Sequence, residues 1–430
     1  MSFKPVYIVD GARTPFLKMR SGRGPFSAAD MAVQAAQALM LRQPFKASDF
    51  SEVIVGCAAP TPDETNIGRV VGLRVGTGHK VPAWTVMRNC ASGMQAIDSA
   101  IANIQSGRSE LVLAVGTDAL SRAPLLFSEK AVDWLARFNS AKSFGQKLGA
   151  LKQFKLNYLS PVIGLLKGLT DPVVGVSMGQ TAENLAYKFG ITRQEMDEYS
   201  ARSHARVIKA RNQKGFDAEL VPMIDIKGNL YQEDDGVRED STVEKLAKLK
   251  AVFDRPSGNI TAGNSSQVTD GAATLILASE EAVQKWGLKP IAKIIDTQWA
   301  ALDPSEMGLG PVHASAPILE RHQLSLDDID LWEINEAFAA QTLACLRAFN
   351  DEEYCQTHFG RSAFGVLDQE KLNVDGGAIA IGHPVGASGA RIVLHLVHAL
   401  KQRQLKRGIA SICIGGGQGG AVFVELIDEE

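Results

Sequence analysis

From Ile291 onward this chain repeats the pattern of its own opening. Ile291 to Asp296 echoes Val6 to Asp10. Leu326-Asp327-Asp328-Ile329-Asp330-Leu331-Trp332 echoes Ser48-Asp49-Phe50-Ser51-Glu52-Val53-Ile54. Gly386-Ala387-Ser388-Gly389-Ala390 echoes Cys90-Ala91-Ser92-Gly93-Met94, and Ile409 to Ile414 before Gly415 echoes Leu111 to Val115 before Gly116. In both copies apolar strands alternate with helical stretches, which points to a mostly parallel sheet with helices packed on it. A duplicated unit of this kind packs about a pseudo-twofold axis, and equivalent turns of the two copies meet near it.

Three parts are expected. Residues 1–120 with 251–279 form the first half, 121–250 an inserted loop domain, mainly helical, and 280–430 the second half. In the first half, Val6 to Asp10 reads as a strand and Gly11 to Phe16 as a turn. Ala28 to Leu41 reads as a helix capped by Ser27, Glu52 to Gly56 as a strand, and Leu111 to Val115 as a strand stopped by Gly116. The insertion is different in kind. Residues 121–170 carry eight basic and two acidic side chains, interleaved with Phe127, Trp134, Phe138, Phe144, Phe154 and Tyr158. Gly179 to Lys214 reads as helical with a turn at Phe189-Gly190.

The net charge of −3 gives no global attraction to nucleic acid. The five cysteines are scattered and contain no CxxC pair, so neither a disulfide framework nor a metal site is expected. Their free thiols suit a reducing, cytoplasmic setting. No signal-peptide pattern opens the sequence, and no run approaches the ~18 apolar residues of a membrane span.

Four stretches carry candidate chemistry. Ala83 to Met87 leads into a turn holding Cys90, followed by a helix with Met94, Ile97, Ile101 and Ile104 on one face. A thiol at a helix N-terminus is placed where unpaired N–H groups and the helix dipole favour the thiolate. Asn335-Glu336 follows a strand, at the kind of strand end where α/β sheets place sites; an N-cap on the next helix is the alternative. His383 lies in the glycine-rich run Gly376 to Gly386, with its backbone restricted by Pro384. His395 and His398 fall on a helix and read as structural. Cys413-Ile414-Gly415-Gly416-Gly417-Gln418-Gly419-Gly420 formally contains GxGxxG. The β-like segment after it, Ala421 to Ile427, excludes a dinucleotide fingerprint, which needs a helix there.

Asn89-Cys90-Ala91-Ser92-Gly93, Asn335-Glu336-Ala337-Phe338, Gly382-His383-Pro384 and Cys413-Ile414-Gly415-Gly416-Gly417, in this order, resemble the motifs of the thiolase family. Gly175 to Asn184, Arg238 to Lys250 and Thr261 to Ser266 look like its loop-domain segments. The resemblance implies an α/β fold of five layers, αβαβα, from two similar halves with a loop domain. It implies an acyltransferase that exchanges acyl groups between coenzyme A and acyl-CoA, with no permanently bound cofactor. Cys90 then corresponds to the nucleophile, His383 to its base, and Cys413 to a second acid/base. The enolate oxygen would be held by His383 and a water on Asn335, and the tetrahedral oxyanion by the N–H groups of Cys90 and Gly415. Arg238 would lie near the adenine end of coenzyme A, with Met178 and Ser266 along the pantetheine tunnel. Ser177 stands where several biosynthetic members have a histidine.

The composition of 121–170 also resembles the thiolase subunit of β-oxidation trifunctional complexes. That implies contact with a hydratase/dehydrogenase subunit or a membrane surface, although many such subunits have a histidine where this chain has Asn335. The reading reached is thiolytic cleavage of 3-ketoacyl-CoA in fatty-acid β-oxidation, by a homodimer or homotetramer. The alternatives are a biosynthetic acetoacetyl-CoA thiolase and a non-catalytic acyl-CoA- or lipid-binding scaffold.

Overall fold

The computed structural model describes residues 4–427, and residues 1–3 and 428–430 of the two expected halves lie outside the described residues. The first half contributes β1 (Val6–Arg13), β2 (Glu52–Gly56), β3 (Ala83–Val86), β4 (Leu111–Ala119) and β5 (Thr269–Ser279). The second contributes β6 (Ala292–Ala301), β7 (Leu331–Ile334), β8 (Arg407–Ile414) and β9 (Gln418–Leu426). The spatial orders are β3-β2-β4-β5-β1 and β6-β9-β8-β7. The halves join edge to edge through Val6↔Ile294, Tyr7↔Lys293 and Ile8↔Ala292. With the short strand Leu17–Lys18 on β5, this makes one ten-stranded sheet.

The duplication extends to the pairing. β2/β4 and β7/β8 are parallel, while β4/β5, β5/β1, β8/β9 and β9/β6 are antiparallel. Even the irregularities repeat: β1 shifts register between Ile8 and Asp10, and β6 between Ile294 and Asp296. The sheet is therefore mixed rather than mostly parallel. The reason is connection length: only Gly415, Gly416 and Gly417 separate β8 from β9, far too few residues for a crossover. In the first half the equivalent connection, β4 to β5, is where the insertion enters.

The helices that matter to the site are α1 (Ala28–Met40), α2 (Ile67–Val75), α3 (Ser92–Gln105), α4 (Glu129–Ser140), α5 (Phe144–Lys152), α6 (Met178–Lys188), α7 (Arg193–Asn212), α8 (Gly310–Arg321), α9 (Ala339–Phe349) and α10 (Val385–Arg403). α1 starts as its sequence demands: Ser27 Oγ accepts the Asp30 N–H at 3.2 Å, and the Asp30 carboxylate accepts the Ser27 N–H at 2.9 Å. With α2 it covers the first half, burying Met31, Leu39 and Ile67 against Val53 and Leu113. α8 and α9 cover the second half, packing Ile318 and Phe349 with Trp332 and Phe423. α3 and α10 fill the space between, where Ile97, Ile101 and Val393 meet Leu275, Ile412 and Val424. The result is five layers, αβαβα.

Where α3 crosses α10 the backbones touch. A Cβ on Gly93 would stand 2.8 Å from the Gly386 carbonyl oxygen and 2.9 Å from the Ala390 nitrogen; on Gly116 it would be 2.5 Å from the same oxygen. Only glycine permits this approach. Two expectations are corrected here. β4 does not stop at Gly116 but pairs on to Ala119, and β1 continues through Gly11 to Arg13 instead of turning.

In the insertion, α4 and α5 enclose a small cluster, with the Trp134 ring 5.5 Å from Phe138 and 4.8 Å from Phe154. Leu125, Phe127, Phe144, Leu156 and Leu159 remain exposed. α6 and α7 instead share the core of the second half through Leu185, Met196 and Tyr199.

A buried ionic chain ties these parts together. Arg13 pairs with Glu219 at 2.6 Å and Asp234 at 2.8 Å; His395 meets Glu219 at 2.9 Å and Asp375 at 3.4 Å; Arg403 meets Asp375 at 2.7 Å. Burial opposes charge on His395, but Glu219 and Asp375 outweigh it and hold its pKa at about 10. That stabilisation is complete below the unfolded pKa of about 6.5 and disappears as pH rises through about 10. His395→Gln is expected to cost about 3–5 kcal/mol near pH 7. The gap to wild type in urea midpoints should close toward pH 10; a gap independent of pH would refute the charged assignment.

Candidate active site

Cys90 sits just ahead of α3, in a turn that its neighbours fix. Ser92 Oγ accepts the Arg88 N–H at 2.9 Å and donates to the Asn89 carbonyl at 2.7 Å. Asn89, at φ 43°, donates its amide to the Gly415 carbonyl at 2.8 Å, stitching this turn to the one after β8. The backbone N–H groups of Gly415 and of Cys90 itself favour the thiolate at this sulfur. The expectation of a favoured thiolate needs correction. Burial pushes the thiol pKa up, and the two N–H donors offset only part of that. The residue precedes the helix cap, Ala91, so it is not at the first turn itself.

Cys90 opens onto a cavity of about 670 Å³. Met87, Asn89, Gly415, Met178 and Val385 share its wall, and the insertion supplies Leu126, Leu165, Leu169 and Val173. Cys413 is fully buried on β8, two residues before Gly415. Burial and then the fields of Cys90 and Cys345 hold it as a neutral thiol, so Cys90 and Cys413 lie within electrostatic reach of one another.

His383 precedes α10 as Cys90 precedes α3, and Val385, on the same cavity, is two residues on. Its Nδ1 is 2.6 Å from Ser388 Oγ, which donates to the Pro384 carbonyl at 3.0 Å. With the hydroxyl proton so directed, Nδ1 carries the imidazole hydrogen and Nε2 keeps its lone pair. Nε2 is buried and has no protein partner. Burial, and then the charge of Arg391, push the imidazole pKa down to about 4, so it is neutral at physiological pH.

Asn335 directly follows β7 and is completely buried, with neither its Oδ1 nor its Nδ2 paired to protein. It does not cap the next helix, whose cap position is Phe338. Its neighbour Glu336 fixes the loop by accepting from Tyr199 at 2.9 Å, Ser203 at 2.7 Å, Asn373 at 3.0 Å and the Ile379 N–H at 3.2 Å. The Asn335 turn and the segment leading to His383 are thereby tied to each other and to α7.

Asp118 was not singled out from the sequence. It is buried between the halves, accepting from the N–H groups of Ala59 at 2.9 Å and Gly386 at 2.5 Å and from the Cys57 thiol at 3.2 Å. Burial pushes its pKa up to about 6 against those donors. The one signal available in the sequence was an acid at the end of an apolar strand.

Of the expected coenzyme A contacts, only Met178 lines the cavity. Ser266 is half-buried outside it, donating its N–H to the Ala337 carbonyl at 2.9 Å. Arg238 is exposed and lies outside it too, with its backbone N–H on His204 Nδ1 at 3.1 Å. Ser177 caps α6 in a reciprocal box with Gln180. Among the described residues no cluster of His, Cys, Asp and Glu is arranged to hold a metal, and no helix is long and apolar enough to cross a membrane.

Comparison with known proteins extends this picture over the whole chain. A family model for the thiolase N-terminal domain matches residues 6–281, and one for the thiolase C-terminal domain matches 288–426. The mitochondrial 3-ketoacyl-CoA thiolase of Bos taurus is 40% identical over 425 residues, 98% of each chain. The mitochondrial trifunctional enzyme subunit beta of Bos taurus is 34% identical over 426 residues, 99% of this chain and 89% of that one. The crystal structure of human mitochondrial 3-ketoacyl-CoA thiolase in complex with CoA matches with a TM-score of 0.84 at 38% identity, covering 99% of this chain and 98% of that one.

Proposed function

The chain belongs to the thiolase family, and from that premise we propose that it is a 3-ketoacyl-CoA thiolase of fatty-acid β-oxidation, an acyltransferase working through an acyl-cysteine. The observation that carries the reading is the meeting of the Cys90 and Gly415 turns, joined by the Asn89 amide on the Gly415 carbonyl, at the wall of an apolar cavity.

In the first half-reaction Cys90 Sγ adds to the C3 carbonyl of the substrate, and its proton passes to Nε2 of His383. The N–H groups of Cys90 and Gly415 take the oxyanion, each such donor being worth about 3 kcal/mol of barrier. The C2–C3 bond then breaks. Its electron pair leaves as the enolate of acetyl-CoA, whose oxygen is met by His383 and a water on Asn335, and Cys413 protonates its carbon. The shortened acyl group remains on Cys90 as a thioester. In the second half-reaction the Cys413 thiolate takes the proton of incoming coenzyme A, whose sulfur attacks the acyl carbon. Cys90 departs and recovers its proton from His383. The lone pair on Nε2, the low pKa of His383 and the neutral thiol of Cys413 all suit these starting states.

Coenzyme A and acyl-CoA are thus substrates, and the site needs no resident cofactor. The exposed apolar and basic surface of 121–170 supports docking of a hydratase/dehydrogenase subunit on a homodimeric or homotetrameric enzyme. The five free cysteines fit a cytoplasmic setting. The deciding assay follows loss of the 3-ketoacyl-CoA enolate absorbance. CoA-dependent decay with release of acetyl-CoA is expected; no decay with any 3-ketoacyl-CoA would end the proposal.

A further inference from the structure

We propose that Leu165 and Leu169 of the insertion set the acyl preference of this site, which takes uncharged chains longer than an acetyl group; this rests on the thiolase reading above. The cavity at Cys90 is the starting point. Its volume, about 670 Å³, falls within the range of roughly 300–1,000 Å³ that holds drug-sized ligands and far exceeds what an acetyl group fills. Among the described residues, Asp171 is the one charged side chain on its wall. That carboxylate already accepts the N–H groups of Val173 at 2.8 Å and Val174 at 3.0 Å. With no cation among those lining residues, the chemistry is wrong for the phosphates of coenzyme A and right for a hydrocarbon. A chain ending in a carboxylate would bring an unpaired charge into apolar surroundings beside a like charge.

The insertion supplies much of the wall around Cys90 and holds it firmly. Residues 164–168 form a single helical turn that places Leu165 and Leu169 on one face, four apart, both on the cavity. Leu166, on the other face, is 58% exposed. The turn is anchored at both ends. The Gly164 N–H donates to the Pro124 carbonyl at 3.1 Å, and the Met178 N–H donates to the Leu169 carbonyl at 2.9 Å. Leu125 and Leu126 pair with Ile163 and Val162 just before it. A side chain enlarged at 165 or 169 therefore has to project into the cavity, because the backbone cannot withdraw.

The test compares thiolysis of acetoacetyl-CoA and 3-ketohexadecanoyl-CoA by the full-length enzyme. Wild-type kcat/KM is expected to rise about fourfold per methylene until the cavity is full. A 3-ketoacyl-CoA of matched length ending in a carboxylate should be about 30-fold poorer. Leu165→Trp and Leu169→Trp should each lower the ratio of kcat/KM on the long substrate to that on acetoacetyl-CoA by roughly 30-fold. Leu166→Trp, facing solvent, should change neither. Equal losses on both substrates, no loss on either, or ready cleavage of the carboxylated chain would overturn the proposal. A wild type that cleaves acetoacetyl-CoA with no dependence on chain length overturns this proposal alone. A wild type that cleaves neither substrate overturns the thiolase reading with it.

Discussion

Cys90→Ala is expected to reduce thiolysis by about 10⁴-fold or more and to eliminate the acyl-enzyme. Intact mass spectrometry after mixing with a 3-ketoacyl-CoA, without free coenzyme A, should show wild type heavier by one acyl group and the variant unchanged. The expectation follows from access. Cys90 reaches the cavity wall, whereas Cys57, Cys345, Cys355 and Cys413 are each fully buried. The other sulfurs on that wall are the thioethers of Met87 and Met178, which form no thioester. The turn around position 90 is held by Ser92 and Asn89 rather than by the thiol, so the variant should fold. An acyl adduct on the variant would remove Cys90 from the mechanism.

Cys413→Ala should lower turnover by roughly 10²–10⁴-fold, the usual worth of a positioned acid/base. Iodoacetamide should still alkylate Cys90 in it, because the thiol and its two N–H donors are untouched. The combination matters. A variant that lost both turnover and alkylation would have a collapsed site, whereas loss of turnover alone isolates proton transfer. Burial suits Cys413 to this role, since a thiol kept neutral beside the reacting centre has a proton to give to a carbanion. Wild-type thiolysis rates in the variant would refute the assignment.

Much of the fold was written locally. β2 coincides with the stretch read from its apolar run, α1 begins at the cap its serine announced, and α3 buries the face its spacing marked. What misled was punctuation with a distant cause. Gly116 reads as the end of a strand, yet it is a glycine because the start of α10, far along the chain, lies on top of it. The Gly11 turn is drawn out into β1 because Arg13 is gripped by Glu219 and Asp234, both in the insertion. Sequence alone carries neither neighbour. The same holds at the site. Cys90 and His383 stand out through their turns, but the contest between dipole and burial at the thiol depends on what surrounds it. Asp118 binds mainly backbone N–H groups and Glu336 mainly side chains of Tyr199, Ser203 and Asn373, partners from elsewhere in the chain that no local pattern reveals.

The glycine seam between α3 and α10 has a consequence for how the reactive groups keep their spacing. Main chain resting on main chain has no torsion angles with which to accommodate an intruder. The gap between sulfur and imidazole is thus inherited from atomic radii at the crossing, not adjusted by rotamers around the substrate. A single methyl group there would act as a wedge, and since an error of about 1 Å in such alignment can cost a hundredfold in rate, a lesion invisible to substrate binding could silence the chemistry.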